Sequence, residues 1–208
     1  MQISLATFGS FLLTCIVIEL TPGPNMAYLA IISASHGRRA GWAATVGIAL
    51  GLLMLGVAAA LGLATIVLQS RFLYELLRWF GVGYLLWLAW EGWTETDDAS
   101  NALATQSADD AQYFRRGLIT NLLNPKAALF FMSVLPEFIE LSRPILAQTL
   151  SLSVIYVLVA TSIHAIIVAL AGTAGSVLKQ TDRIRTTRRT LSAGLAVIAV
   201  WLAFSTAK

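Results

Sequence analysis

The chain has 208 residues, of which 57% are hydrophobic and 12% are charged, and its formal net charge is +3. Soluble domains carry about a quarter charged residues, so this composition excludes a soluble globular protein and predicts an all-helical protein of the lipid bilayer. The positive residues lie at the ends of apolar segments rather than in a stripe interleaved with aromatic residues, so we expect no nucleic-acid partner.

Charged borders divide the chain into six apolar segments. A membrane-spanning helix needs roughly 20 apolar residues, and each segment approaches or exceeds that length. The first residues carry no positive charge, unlike a cleaved signal peptide, so the first segment is expected to be a retained span. The predicted spans are, in chain order, residues 5–35, 41–68, 73–93, 117–138, 145–178 and 190–207.

Lysine and arginine set the expected orientation, because cytoplasmic loops carry an excess of both. With six spans, the side opposite the odd-numbered loops holds four positive residues: Arg71, Arg78, Arg143 and Lys208. The odd-numbered loops are richer and hold Arg38, Arg39, Arg115, Arg116, Lys179, Arg183, Arg185, Arg188 and Arg189. The odd-numbered loops are therefore predicted to be cytoplasmic, and both termini are predicted to lie outside.

A polar stretch over residues 94–113 is typical of a flexible cytoplasmic linker. It divides a single transmembrane domain, residues 1–208, into repeat one, residues 1–93, and repeat two, residues 114–208. Because each half then holds three spans, the two halves must insert with opposite orientation. The sequence predicts six transmembrane helices in two inverted-topology three-helix repeats, each with a broken first helix.

Proline interrupts the first span of each half. Repeat one carries Glu19-Leu20-Thr21-Pro22-Gly23-Pro24-Asn25, and repeat two carries Asn121-Leu122-Leu123-Asn124-Pro125-Lys126. Proline lacks an N–H group, so the helix opens there, and irregular backbone survives in a bilayer only where protein or a water-filled cavity satisfies it. A single break would favour a structural kink. Two breaks in matching positions favour a transporter's binding site.

Both breaks are expected near the middle of the bilayer. Lys126 follows Arg116 by ten residues, or about 15 Å along a helix, and Asn25 precedes Arg38 by thirteen, or about 20 Å. Half of the hydrocarbon core is about 15 Å thick.

Glu19 and Lys126 are the ionisable residues least able to reach water, and a charge at that depth usually faces a cavity or a partner. One interpretation is a buried ion pair that holds the two halves in register. The other is a site for a zwitterionic amino acid, with its carboxylate at Lys126 and its ammonium at Glu19. Glu19 is also the predicted carrier of a coupling proton, because burial favours the neutral carboxyl group. The predicted substrate-binding residues are Thr21, Pro22, Gly23, Pro24, Asn25, Asn121, Asn124, Pro125 and Lys126.

His164 and Cys15 are left outside the predicted site. His164 lies midway along the fifth span, and its side chain is suited to proton relay. We expect instead that it is hydrogen-bonded to a neighbouring residue and has a structural role. The single Cys15 can form no intrachain disulfide and is expected to be a packed core residue. We expect no catalytic residue, no metal and no cofactor.

Several short motifs occur together in this order: Thr21-Pro22-Gly23-Pro24-Asn25, Gly37-Arg38-Arg39-Ala40-Gly41, Gly47 with Gly51, residues 80–86, and residues 123–131 with Leu135-Pro136. In these motifs the sequence resembles the lysine exporter family, which is also called the homoserine/threonine resistance family. The resemblance implies an amino acid exporter of the bacterial inner membrane that is driven by the proton gradient and is a homodimer.

The sequence argues against two other classes of membrane protein. A thiol-electron carrier with a related six-span plan needs a reactive cysteine pair, and Cys15 is alone. A non-transporting membrane assembly protein gives no reason for costly charges at the middle of the bilayer. The sequence therefore predicts a secondary active transporter that exports an amino acid or a derivative from the cytoplasm by proton antiport.

Overall fold

The computed structural model describes residues 5–62, 70–94, 110–179 and 184–205, and these residues form an all-helical fold, as predicted. A π-helical turn, Phe130–Val134, and a 3-10 turn, Leu135–Phe138, follow the short helix Pro125–Leu129. Most of the predicted linker lies outside the described residues. The helices are α1 (Leu5–Leu20), α2 (Pro24–His36), α3 (Arg38–Ala60), α4 (Arg71–Thr94), α5 (Asp110–Leu122), α6 (Pro125–Leu129), α7 (Ile145–Lys179) and α8 (Ile184–Ser205).

Between two and four membrane spans are evident from length and composition within the described residues. Arg38–Ala60 and Ile145–Ala174 each qualify as a single straight helix. Two bent pairs qualify when each is counted as one span: Thr7–Leu20 with Pro24–His36, and Asp110–Leu122 with Pro125–Phe138. Helix α4 is long enough to span a membrane, but its charged residues and several tryptophans lower its mean hydropathy too far. In α8, the apolar stretch Ser192–Trp201 is too short to qualify. The six-span arrangement therefore stays a prediction.

Both helix breaks occur at prolines, as the sequence predicted. The axis bends by 56° between α1 and α2 and by 50° at the α5–α6 junction. Pro24 and Pro125 each stand at the start of a new helix, where the missing N–H would have had no helical partner. Gly23 before α2 is extended, with φ −162° and ψ 177°, and Asn124 before α6 has φ −85° and ψ 105°. The chain thus changes direction over only a few residues.

Helix α7 packs against several other helices. It contacts α1, α2 and α3, while α8 packs against α4 and α2. The Tyr156 ring on α7 stacks on Phe130 with ring centroids 3.6 Å apart and meets Phe131 edge-on. These rings hold the segment that follows the second break against the centre of the bundle.

Helices α3 and α5 approach one another through glycine. A Cβ atom added to Gly47 would overlap the carbonyl oxygen of Phe114, and one added to Gly117 would overlap the carbonyl oxygen of Ala44. In a bilayer, helices associate by close packing rather than by the hydrophobic effect, so small residues at the contact are required. This contact and the Arg39–Asp110 ion pair of 2.8 Å both join α3 to α5.

We expect Gly117→Ala to destabilise the protein by about 1–3 kcal/mol, the usual cost of overpacking a tight contact. The matched control is Gly83→Ala on α4, where an added Cβ would have no neighbour within 4 Å. Alanine is the better helix former by about 1 kcal/mol, so the control should unfold no earlier than the wild type. Thermal unfolding of the detergent-purified proteins measures both. An unchanged transition in Gly117→Ala would contradict the close approach.

Candidate functional site

The two proline breaks meet in the interior. The Nδ2 atom of Asn25, at the start of α2, donates a hydrogen bond of 2.8 Å to Oδ1 of Asn121, in the last turn of α5. Both side chains are buried, with Asn25 6% and Asn121 0% exposed. Two residues 96 positions apart, both predicted for the site, are therefore in direct contact.

Lys126 crosses from the second break to the first. Its Nζ atom donates a hydrogen bond of 2.7 Å to the carbonyl oxygen of Thr21, just after the end of α1. A Cβ atom on Gly23 would lie 3.2 Å from Cδ of Lys126, so glycine at this position leaves room for the lysine side chain. Asn124 caps the start of α6, because its Oδ1 accepts a hydrogen bond of 3.0 Å from the Lys126 N–H group.

The asparagine pair is incompletely satisfied. Neither Oδ1 of Asn25 nor Nδ2 of Asn121 has a hydrogen-bond partner within the described part of the chain. A buried polar group that lacks a partner costs about 1–3 kcal/mol, so such atoms in a native fold call for an explanation. One acceptor and one donor are thus available side by side between the two halves.

An apolar groove of about 410 Å³ opens beside the first break. Its polar end is formed by the break itself, Thr21–Pro24, together with Lys126. Its apolar wall is formed by Ile18, Leu129, Phe130, Val134 and Trp201. The volume lies within the range of small-molecule sites, and the mixture of an apolar wall with a few polar groups is typical of them.

A second, polar cavity lies on the other side of Gly23 and Lys126. Its volume of about 10 Å³ leaves space for about one water molecule. It is lined by Glu19, Gly23, Asn25, Met26, Asn124, Lys126, Ala127 and Tyr156. Of the residues predicted for the site, Asn121 and Pro125 line neither cavity, but Asn121 contacts Asn25, and the buried Pro125 begins α6.

Glu19 contacts residues of α7 rather than Lys126, the ion-pair partner that the sequence suggested. Its Oε1 atom accepts a hydrogen bond of 2.5 Å from the Tyr156 hydroxyl, and its Oε2 atom lies 3.5 Å from Nε2 of His164. No ion pair joins Glu19 to Lys126 in the described residues, although both line the polar cavity. The ion-pair interpretation of these two charges therefore does not match the geometry.

Sequence reasoning left Tyr156 and His164 out of the site. Both lie in a segment that is apolar around its whole circumference, so no periodicity indicated which face of α7 is turned inward. The available signal was the histidine itself, a titratable residue in the middle of an apolar span. Tyr156 gave none.

Comparison with known proteins identifies relatives. The family model of LysE type translocators matches residues 16–207. Homoserine/homoserine lactone efflux proteins of Salmonella typhi and Salmonella typhimurium are each 32% identical over 150 residues, which is 72% of this chain and 73% of theirs. A membrane protein of Vibrio cholerae whose activity is uncharacterised is 29% identical over 145 residues, 70% of this chain and 71% of its own. No solved structure matches the chain significantly.

The asparagine pair can be tested by a double-mutant cycle. We expect Asn25→Ala and Asn121→Ala each to lower the free energy of unfolding by about 1–3 kcal/mol, because each leaves the other amide buried without a partner. The double variant should lose less than the sum of the two. Ser162→Ala, which removes an exposed hydroxyl that donates to the Leu158 carbonyl of its own helix, is the control and should be near neutral. Strictly additive losses would argue against direct contact.

Proposed function

Because the chain belongs to the LysE type translocator family, we propose that it exports an amino acid or an amino acid derivative from the cytoplasm by proton antiport. The family consists of transport proteins and not of enzymes. The names of the Salmonella relatives, which are homoserine and homoserine lactone efflux proteins, support a substrate of the amino acid type. The observation that carries the proposal is the Lys126 ammonium at the junction of two helix breaks, beside the apolar groove.

The polar end of the groove fits the backbone-like part of an amino acid. An ammonium group has three donors, and Lys126 uses one of them on the Thr21 carbonyl, so the others are suited to a substrate carboxylate. Helix α2, which has 13 residues, begins at this end, and its N-terminal N–H groups and dipole also favour a negative charge. The carbonyl oxygen of Thr21 is an acceptor for the substrate ammonium.

The apolar wall bears on the substrate side chain. Ile18, Leu129, Phe130, Val134 and Trp201 leave a side chain in the groove without charged partners. Apolar surface that is removed from water here contributes about 25 cal/mol per Å². We therefore propose that amino acids or derivatives with a sizeable apolar group are preferred over those with a charged side chain.

The proposed setting follows from charge and symmetry. Six spans in two inverted halves, with both termini outside, would place the arginine-rich loops in the cytoplasm, as the positive-inside rule requires. The two bent helix pairs, one near the start of each half, support the inverted repeat. We propose that the protein works in the bacterial inner membrane as a homodimer and that Glu19 carries the coupling proton.

Transport can be tested in inverted membrane vesicles with an imposed proton gradient. The probes are radiolabelled L-homoserine, L-leucine, L-phenylalanine and L-lysine. We expect gradient-dependent accumulation of at least one probe by the wild type, and no accumulation of that probe by Lys126→Gln, because the substrate carboxylate loses its cation. Arg143→Gln removes a positive charge from the ion pair with Glu140; neither residue lines the groove, so this variant should transport normally. A wild type that accumulates no probe would refute the function, and an active Lys126→Gln variant would refute the site.

The side-chain preference has its own test. We expect Trp201→Ala to raise the apparent KM for phenylalanine or leucine by about tenfold, since the loss of some 55 Å² of apolar contact amounts to about 1.4 kcal/mol. The KM for homoserine should change less, because its side chain is short. Trp90→Ala removes an exposed tryptophan from α4, away from the groove, and is the control. Equal changes for all probes would show that the wall does not select the side chain.

A further inference from the structure

The arrangement around Glu19 leads us to propose that Glu19, Tyr156 and His164 together form a proton-binding site, separated from the substrate groove by the first helix break. The proposal deepens the antiport function above and depends on it. It assigns His164 the role of exchanging the proton with Glu19 and Tyr156 that of positioning the carboxylate.

The three side chains form a closed cluster. Glu19 is 5% exposed, His164 is 1% exposed, and Tyr156 is fully buried. Each carboxylate oxygen faces a different residue: Oε1 accepts from the Tyr156 hydroxyl at 2.5 Å, and Oε2 lies 3.5 Å from Nε2 of His164, which makes no hydrogen bond to the described residues. The separation on the histidine side is long for a hydrogen bond, so a small movement makes or breaks that contact.

His164 is placed to pass a proton on. Its Nδ1 atom has no hydrogen-bond partner among the described residues, although the atom is buried. In the proposed step, a hydronium ion gives its proton to Nδ1 and leaves as water, so the imidazole carries a proton on both nitrogens before it loses the one at Nε2. The Nε2–H bond breaks, an O–H bond forms on Oε2 of Glu19, and the imidazole is left neutral with its proton on Nδ1.

The titratable groups that face Glu19 come from three elements. They are Cys15 on α1, Lys126 on α6, and Tyr156 and His164 on α7. Tyr156 and Cys15 are neutral near pH 7 by their ordinary values. The charge balance of the cluster therefore depends on Glu19, His164 and Lys126, and one proton on the Glu19–His164 pair changes its net charge by one.

The geometry also separates the proton from the substrate. Glu19 and His164 do not line the apolar groove, whereas Lys126 lines both the groove and the polar cavity that Glu19 faces. Charges within a few ångströms interact strongly in a medium of low dielectric constant. Neutralising Glu19 therefore changes the field at the ammonium that holds the proposed substrate carboxylate. Lys126 is the element through which proton binding and substrate binding influence each other.

The experiment separates coupling from transport. His164→Gln and Glu19→Gln are compared with the wild type in two assays, using the probe that the wild type accumulates best. One assay is accumulation driven by a proton gradient, and the other is exchange of labelled for unlabelled probe without a gradient. We expect both variants to lower the accumulation ratio by about tenfold or more, within the usual range for coupling between two sites, and to retain exchange. Retained exchange also demonstrates that the variants are folded.

Two further variants sharpen the result. Tyr156→Phe keeps the ring that stacks on Phe130 and removes only the hydroxyl, so it should weaken gradient-driven accumulation less than His164→Gln. Ser162→Ala lies on the same helix, is exposed, and should behave as the wild type.

Each outcome has one meaning. Normal accumulation by His164→Gln, alongside an active wild type, would overturn the proton site. Loss of both accumulation and exchange in His164→Gln would assign the residue a purely structural role and would also overturn it. A wild type without accumulation of any probe would refute the proposed function itself.

Discussion

A bilayer offers no water to an open helix end, so the protein must satisfy every polar backbone group that a break releases. The end of α1 releases the carbonyl of Thr21, and the ammonium of Lys126 binds it. Conversely, a lysine charge near the middle of a membrane needs a polar partner, and this carbonyl is one. Two costly features, each on a different half of the chain, thus stabilise one another. The junction of the halves, the groove and the cavity all depend on this contact.

The same constraint explains the small and polar residues nearby. Gly23 allows the lysine stem to pass, since any side chain would press on it. Asn124 satisfies the N–H of Lys126 and so fixes the residue from which that stem starts. Asn25 and Asn121 then link the two breaks at a second point. These two separate polar contacts fix the position of one break relative to the other. The contact between the asparagines remains incomplete, because Oδ1 of Asn25 and Nδ2 of Asn121 have no hydrogen-bond partner among the described residues.

Part of the fold and of the candidate site could be predicted from the chemistry of individual residues. The breaks at Pro24 and Pro125 follow from the missing N–H of proline, and the cap at Asn124 follows from its side chain.

Contacts between residues that are distant in the sequence were harder to predict. Glu19 and Lys126 were natural partners by charge, but the Thr21 carbonyl is nearer to the lysine, and α7 supplies a hydroxyl and an imidazole for the carboxylate. Because α7 is apolar on all sides, its inward face could not be read from the pattern. The span predicted at α4 stays a prediction, because the charged residues of this helix lower its mean hydropathy. The buried Arg78 on α4 donates a hydrogen bond to the Ala203 carbonyl of α8.

The contact between Lys126 and Thr21 also indicates how a substrate would enter on the proposed assignment. A zwitterion brings one carboxylate and one ammonium, the complements of the lysine ammonium and the freed carbonyl. By inserting between them, it replaces one internal contact with two external ones, so neither break loses its partner. The lysine is then held by the substrate rather than by repeat one, which loosens the link between the halves. When the substrate leaves, Lys126 can bind the Thr21 carbonyl again, which restores the link between the halves. A proton on Glu19 would remove the negative charge that faces Lys126 across the polar cavity, which leaves the Thr21 carbonyl as the partner of the lysine during the return step.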